Sequence, residues 1–480
     1  MSTITKRVVE LLLSKKVIPT KELVASFKTV HDAELWLNKN TSKSEPEVEE
    51  TAQAQIKVLF SYSGQPRDRT VSDFIALFNS RYRTLEKILK QRGELSNVVS
   101  IARITTKHYS DEASLIGMVY EKEMTKTGNI ILTVEDPTGM IKVFVPSSSK
   151  LITIAQDIVL DEVIGVVGQF RNGMVYAQNI FHPDIPIKTS LKRAPQDVAM
   201  AVLSCIHVGS TKFLRKEFSR FIDWLCGDFG SNEQRELAKK IRYLFIIGDC
   251  VDGVGIYPNQ ERSLDIDDVQ KQYLELTRYL KKIPKNVKLI ICPGNHDATR
   301  LSEPQPPFPS KWSMPLLELE NAIFVSNPAL VNIAAFGDFG GFDVLCYHGF
   351  GFDDYSETVP SIKNSGKNVS ERTPQIMRFL LQKRHIAPTY GSTLQVPEQK
   401  DWLTIERIPD IWISGHIHRA ATASYRGVLL VCASCWQEKT DFQEKMGHEP
   451  TPCVVPVVDL HKRKTIMLNF ADRNYDGLSS

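Results

Sequence analysis

Five apolar runs beyond residue 198 each end in side chains of the types that bind metal ions. Residues 199–204 lead to Cys205-Ile206-His207, and 244–247 lead to Gly248-Asp249-Cys250-Val251-Asp252-Gly253. Residues 289–292 lead to Pro293-Gly294-Asn295-His296-Asp297, 344–347 to His348-Gly349, and 411–414 to Gly415-His416-Ile417-His418. Short apolar runs alternating with helical segments specify an α/β layered domain, here residues 191–480. In such folds ligands gather outside the carboxyl ends of the strands, so the five polar clusters converge on one site. A single histidine after a strand, or a single Gly-Asp, is ordinary loop chemistry. Five of the eleven histidines falling in these clusters is not.

The donor types fit a pair of divalent cations. Asp249 carries two oxygens and can bridge two ions about 3.5–4 Å apart, while neutral imidazoles and the Asn295 amide oxygen fill outer positions. Two cations polarise a phosphodiester and supply hydroxide at neutral pH, so phosphodiester hydrolysis is the natural chemistry. His296 lies beside a ligand position and is itself free to protonate the leaving oxygen, with Asp297 orienting its imidazole. Cys432 and Cys435 form a CxxC without a second one at zinc-ribbon spacing, and read as two buried strand thiols. All eight cysteines lie at or beyond position 205, several in apolar runs, which is the distribution of a reducing, cytoplasmic protein.

Upstream, residues 1–38 read as a small helical module, with Val8, Val9, Leu12 and Leu13 on one face and a second segment starting at Pro19-Thr20. Residues 39–55 are Ser-, Thr- and Glu-rich and nearly free of apolar side chains, which makes them a flexible linker. Residues 56–98 form a helical connector whose exposed row Arg83, Lys87 and Lys90 is a solvated face. Residues 99–190 change to five short β runs with turns at 126–129, 136–139 and 171–173, the pattern of a small OB-type β-barrel. The fold expected is therefore an α/β phosphoesterase sandwich preceded by an OB-type β-barrel and a small N-terminal helical module. Two lesser segments, 304–309 and 474–480, read as surface connections, and 349–354 reads as a flexible loop.

The motif spacings resemble the calcineurin-like metallophosphoesterase superfamily, whose pattern is DxH, GDxxD, GNHD, H and GHxH. Three further features are similar to the small subunits of archaeal family-D DNA polymerases, members of the polymerase B-subunit family. They are Gly248–Gly253 followed by Gly255-Ile256-Tyr257-Pro258, the run Arg384-His385-Ile386-Ala387-Pro388-Thr389-Tyr390-Gly391, and an OB-like module in front. That resemblance implies a 3′–5′ exonuclease needing Mn²⁺-like ions, and a heterodimer with a large catalytic polymerase subunit. It also implies two ligand sets: Cys205, His207, Asp249 and His418 for one metal, and Asp249, Asn295, His348 and His416 for the other.

Cys205 departs from the pattern, which has Asp there. A thiolate favours Zn²⁺ or Fe²⁺ over Mn²⁺; a packed neutral thiol would leave the first metal weak or absent. Three functions follow: a proofreading subunit acting on single-stranded 3′ primer ends of DNA, a catalytically inactive structural member of the same B-subunit family, and a free-standing metallophosphatase. The net charge of +3 excludes nucleic-acid binding by bulk charge, so DNA contact rests on a local surface or a partner. No apolar run reaches the ~20 residues of a membrane span, so no membrane partner is expected.

Overall fold

The computed structural model describes residues 3–14, 19–40, 56–106, 112–188 and 190–471. It divides into two compact units, Met1–Gln55 and Ile56–Ser480. In the first, helices α1 (Thr3–Ser14), α2 (Lys21–Ala25) and α3 (Val30–Asn40) bury Val8, Leu12, Ala33 and Leu37 in a small core. Of the expected linker, residues 39 and 40 close α3 and 41–55 lie outside the described residues, as does the tail segment 474–480. Among the described residues no helix is long and apolar enough to cross a membrane.

The second unit opens with strand β1 (Ile56–Ser61) and helix α4 (Val71–Leu89). The Asp73 carboxylate accepts the Thr70 N–H at 2.8 Å and starts α4 as a capping box. One face of α4 buries Leu85 and Leu89 against Leu95, Ile116 and Val163, while Arg83, Lys87 and Lys90 stay exposed. Residues 56–98 are thus not wholly a helical connector, since β1 pairs antiparallel with a strand some 270 residues away, Ile56 opposite Ile333. A short edge strand with so distant a partner leaves no local period to read.

Strands β2 (Glu112–Met124), β3 (Ile130–Asp136), β4 (Gly139–Val145), β5 (Val163–Arg171) and β6 (Met174–Phe181) close a barrel in the order β2-β3-β4-β6-β5. Alternate residues, among them Leu115, Leu132, Val134, Val143, Val166 and Val175, fill it. The β3–β4 hairpin turns where Asp136 Oδ1 accepts the N–H groups of Thr138 and Gly139 at 2.7 and 3.1 Å.

The remaining strands are β7 (Ala199–Leu203), β8 (Ile241–Ile247), β9 (Lys288–Cys292), β10 (Ala322–Phe324), β11 (Ala329–Ile333) and β12 (Phe342–Cys346). After them come β13 (Ile411–Ser414), β14 (Ala421–Tyr425), β15 (Val428–Cys432), β16 (Val454–Asp459) and β17 (Lys464–Asn469). They form two six-stranded sheets, β10-β9-β8-β7-β16-β17 and β1-β11-β12-β13-β15-β14. Strands β7 to β10 run parallel, as do β12, β13 and β15. Leu244 and Ile246 pack against the helix Arg215–Cys226 and its neighbours, whereas the alternating Phe245 and Ile247 are fully buried outside that cluster. Period-2 alternation therefore turns the second face of this sheet toward the other sheet. There the Tyr243 hydroxyl accepts the N–H of Ala334 at 3.0 Å.

Buried ion pairs join α4, the barrel and the α/β layers. Arg81 Nε donates to Asp401 at 2.7 Å, and His385 Nε2 lies 2.8 Å from the same carboxylate. Lys383 lies 2.7 Å from Glu162 beneath the barrel, and the Tyr390 N–H donates to Asp161 at 2.8 Å. The run 384–391 thus clamps layers together through buried ion pairs and hydrogen bonds. Removing one partner of such a pair strands a buried charge.

Two segments differ from their sequence reading. Phe352–Thr358 is a helix whose Phe352 is buried, so 349–354 is only partly loop. Glu303, Pro304, Gln305 and Phe308 are buried, with 303 bridging 395 and 305 bridging 327, so 304–309 is no surface connection. Polar residues mask this burial because their partners lie far along the chain.

Burial pushes the Glu303 carboxyl, which accepts from the Tyr347 hydroxyl at 3.2 Å, up to about 7. An unfolded Glu ionises near ~4.3, so between that pH and about 7 the unfolded chain holds fewer protons and stability falls as pH rises. Glu303→Gln should remove this slope, raising the melting temperature at pH 8 relative to wild type but not at pH 4.5. The gain corresponds to on the order of 3 kcal/mol. Parallel melting curves of the two proteins across pH check it.

Candidate metal centre

The carboxyl ends of β7, β8, β9, β12 and β13 meet at one place, three strands from one sheet and two from the other. Five of the residues there leave their strands with left-handed backbone: Cys205, His207, Asp249, His416 and His418 have φ between 51° and 66°. Each such non-glycine conformation costs roughly 1–2 kcal/mol, and their clustering marks a functional site. Glycine is required where the loops touch. A Cβ on Gly294 would fall 2.4 Å from Asp249 Oδ1 and 2.9 Å from His348 Nε2, and one on Gly248 would fall 2.2 Å from His348 Nδ1.

Asp249 sits at the centre, buried. Its Oδ2 is 3.1 Å from His348 Nε2 and 3.9 Å from His207 Nε2, and its Oδ1 accepts the His296 N–H at 2.8 Å. Burial opposes its charge, yet His348, His296 and His207 together hold it well below the ordinary carboxylate range. On one side Cys205 Sγ, His207 and His418 present donor atoms all within 4.8 Å of one another; on the other, Cys205, Asp249 and His348 do the same. Asn295 Oδ1 lies 3.0 Å from His348 Nε2.

Outer partners fix the rings. His207 Nδ1 is 3.0 Å from Asp252 Oδ1, which in turn takes Gln437 Nε2 at 3.2 Å. His418 Nδ1 is 2.7 Å from Gln443 Nε2, and His348 Nδ1 is 2.8 Å from the Ile247 carbonyl. For His207 and His348, each with Nδ1–H on an oxygen, this is how metal-bound histidines are usually held; His418 Nδ1 instead accepts from the Gln443 amide, whose Oε1 takes the Thr440 N–H at 3.0 Å. Because a ring nitrogen facing a carbonyl must carry a proton, a neutral His348 turns the lone pair of Nε2 toward the oxygens of Asp249 and Asn295. Three acceptors around one point repel unless a cation lies among them or the ring takes a second proton. The Nε2 atoms of His207 and His418 face each other at 3.2 Å, where a neutral His418 donates its Nε2–H to the Nε2 lone pair of His207. The donor set therefore fits divalent cations.

Two residues sit otherwise than expected. Asp297 does not orient His296: its carboxylate accepts the N–H groups of Gly294 and Cys250 at 2.9 and 3.2 Å and the Tyr273 hydroxyl at 3.1 Å. It ties two loops together, and burial pushes it up to about 7. The His296 ring instead places Nδ1 2.8 Å from the Asp252 carbonyl. His416 lies with its ring 5.2 Å from that of His348, but its Nε2 faces Asp353 at 3.3 Å and the ring belongs to none of the three close donor groups among the described residues. Asp353, Gln437 and Gln443 are partners that no motif marks. Asp252 could have been found, since it ends the Gly-Asp run on the same turn as Asp249.

Cys205 is fully buried; Sγ accepts the His416 N–H at 3.3 Å and lies 3.2 Å from Ser204 Oγ. Burial raises its thiol well above the ordinary range. Cys432 and Cys435 do not converge: the first packs on Met377 and Ser414, the second on the carbonyls of His418 and Gln437. All eight cysteines are free and seven are buried.

Residues 223–422 match the family of DNA polymerase alpha/epsilon B subunits. The DNA polymerase II small subunit of Methanothermobacter thermautotrophicus is 40% identical over 391 residues, 81% of this chain and 78% of that protein. The chain belongs to the archaeal DNA polymerase II small-subunit family. The Archaeoglobus fulgidus small subunit is 37% identical across 84% of this chain and 78% of its own length. The Pyrococcus horikoshii one is 38% identical across 86% of this chain, and the match spans 65% of that longer protein.

Proposed function

We propose that this small subunit is a metal-dependent 3′–5′ exodeoxyribonuclease that proofreads single-stranded 3′ primer ends and holds the large catalytic subunit of its polymerase in a heterodimer. Its two sheets then form a calcineurin-like phosphoesterase sandwich, and its closed barrel is of the OB type. The observation that carries the reading is the His348 ring: Nδ1 committed to a backbone carbonyl, Nε2 aimed at the oxygens of Asp249 and Asn295. Cys205, His207, Asp249 and His418 would hold one cation, and Asp249, Asn295, His348 and His416 the other. When bound, two divalent ions polarise the phosphodiester and supply hydroxide at neutral pH.

The chain's own groups do the rest. Asp249 fixes the two positions relative to each other, and Asp252, Gln443 and the Ile247 carbonyl hold the rings. His296, with Nδ1 on the Asp252 carbonyl, directs Nε2 as proton donor to the leaving 3′-oxygen. Water adds to phosphorus and releases a proton to solvent, the bond from phosphorus to the penultimate nucleoside's 3′-oxygen breaks, that oxygen takes the proton of His296 Nε2, and a 5′-nucleotide leaves.

A second reading, an inactive structural subunit, is favoured by Cys205, whose Sγ is enclosed and already accepts a backbone N–H. Cys205→Asp separates the two. With the thiol as ligand, wild type digests a mismatched 3′ end with Zn²⁺ or Fe²⁺ and loses activity in peroxide; the variant shows higher Mn²⁺-supported rates and no peroxide loss. Metal content by mass spectrometry and primer digestion, alone and with the large subunit, are the measurements. No digestion by wild type with Mn²⁺, Zn²⁺ or Fe²⁺ would leave the structural reading.

A further inference from the structure

Beside His296 the surface opens into a cavity of about 510 Å³, within the range of small-ligand pockets. Val254, Ile256 and Trp312 line it with His296, and the three apolar side chains are 46%, 39% and 38% exposed. Folding does not account for leaving three large apolar groups in water around one opening. Besides His296 and Gln270 the polar lining is Asp267 and Asp268, and it contains no Lys or Arg. A phosphate would be repelled there. A flat, neutral, amine-bearing ring would not: it stacks on an indole and offers its exocyclic N–H to a carboxylate. The Lys311 ammonium lies 4.5 Å from the Trp312 ring centroid and takes one face of the ring, leaving the other for one base.

The position of the cavity selects which base. The His296 ring stands edge-on to His207, 4.7 Å between centroids, so it separates the metal-type donors from the cavity. In an in-line displacement the proton donor stands on the side of the leaving oxygen. We propose that this cavity receives the base of the nucleoside carrying the leaving 3′-oxygen, the penultimate one of the strand, with Trp312 as its stacking platform. The proposal rests on the exonuclease reading for the direction of the strand, and it requires two unpaired nucleotides at the 3′ end.

The test uses the full chain and single-stranded DNA. Trp312→Ala should lower kcat/KM about ten- to hundredfold, as loss of one base stack does, and Trp312→Phe should restore most of it. An abasic penultimate nucleotide should reproduce the loss and make Trp312→Ala silent; an abasic terminal nucleotide should not. Independently of cleavage, 2-aminopurine at the penultimate position, with a phosphorothioate in the last linkage, should be quenched on binding, and Trp312→Ala should abolish the quenching. Quenching without cleavage would sink the nuclease and keep the pocket. Cleavage unaffected by Trp312→Ala, quenching confined to the terminal base, or quenching at neither position would overturn the pocket.

Discussion

Asp249→Asn should reduce exonuclease activity to the level of the protein-free control and lower the bound metal, while the fold survives. Asp249 is the one carboxylate placed between the two donor groups, with His348 at 3.1 Å on one side and His207 at 3.9 Å on the other. A neutral amide cannot compensate two cations, and among the described residues no other acid stands between them: Asp252 is turned to His207 Nδ1 and Asp297 to backbone N–H groups. Asn is chosen because Asp249 has φ of 52°, a conformation that Asn tolerates and Ala resists by roughly 1 kcal/mol. Asp249→Ala should lose the same activity and also melt lower. Metal content, primer digestion and melting temperature on both variants check this. Retained activity in Asp249→Asn would remove the bridging role and with it the two-cation mechanism.

What the sequence announces and what it conceals divide along contact distance. Strand-ending clusters are legible because an apolar run and the polar turn after it are contiguous, and the carboxyl end of a strand is where such turns gather. Cys205, His207, Asp249, Asn295, His348 and His418 meet for that reason. The barrel strands are legible from alternation and from turns such as Asp136–Gly139. Contiguity does not give side-chain direction, and here it misleads: Asp297 follows His296 in sequence but points back into Tyr273 and the loop N–H groups. Nor does it give partners from afar. Gln443 reaches His418, Asp353 reaches His416, and β1 completes a sheet beside β11, each through pairing that leaves no periodic trace.

The strain at this site also has a direction. Five left-handed residues would fold more easily as glycines, yet glycine would delete the donors; the strain is the cost of turning each donor inward immediately after its strand. The fully buried strands behind them, with Phe245, Ile247, Val344 and Ile413 between the sheets, supply the rigidity that holds those turns in place.

His296→Ala should lower turnover on DNA by about 10²–10⁴-fold with metal content near wild type, the usual range for acid–base assistance. Its backbone N–H, not its ring, touches Asp249, so the substitution keeps that hydrogen bond. The ring is fixed by Nδ1 on the Asp252 carbonyl, which leaves Nε2 to give a proton. Burial and the neighbouring His207 lower its pKa, so the imidazolium is a stronger acid than a free one, and activity should fall as pH rises through that lowered value. A proton donor matters in proportion to how poorly the product leaves. A deoxyribose 3′-oxygen needs protonation, whereas p-nitrophenolate departs unaided. The p-nitrophenyl ester of a 5′-nucleotide should therefore be hydrolysed by His296→Ala at a rate within a few-fold of wild type, and the alkaline limb seen on DNA should vanish in the variant. Equal losses on both substrates would mean that the ring positions the phosphate and gives no proton. Loss of bound metal would place His296 among the ligands with His207 and Asp252, the third donor cluster that the site contains.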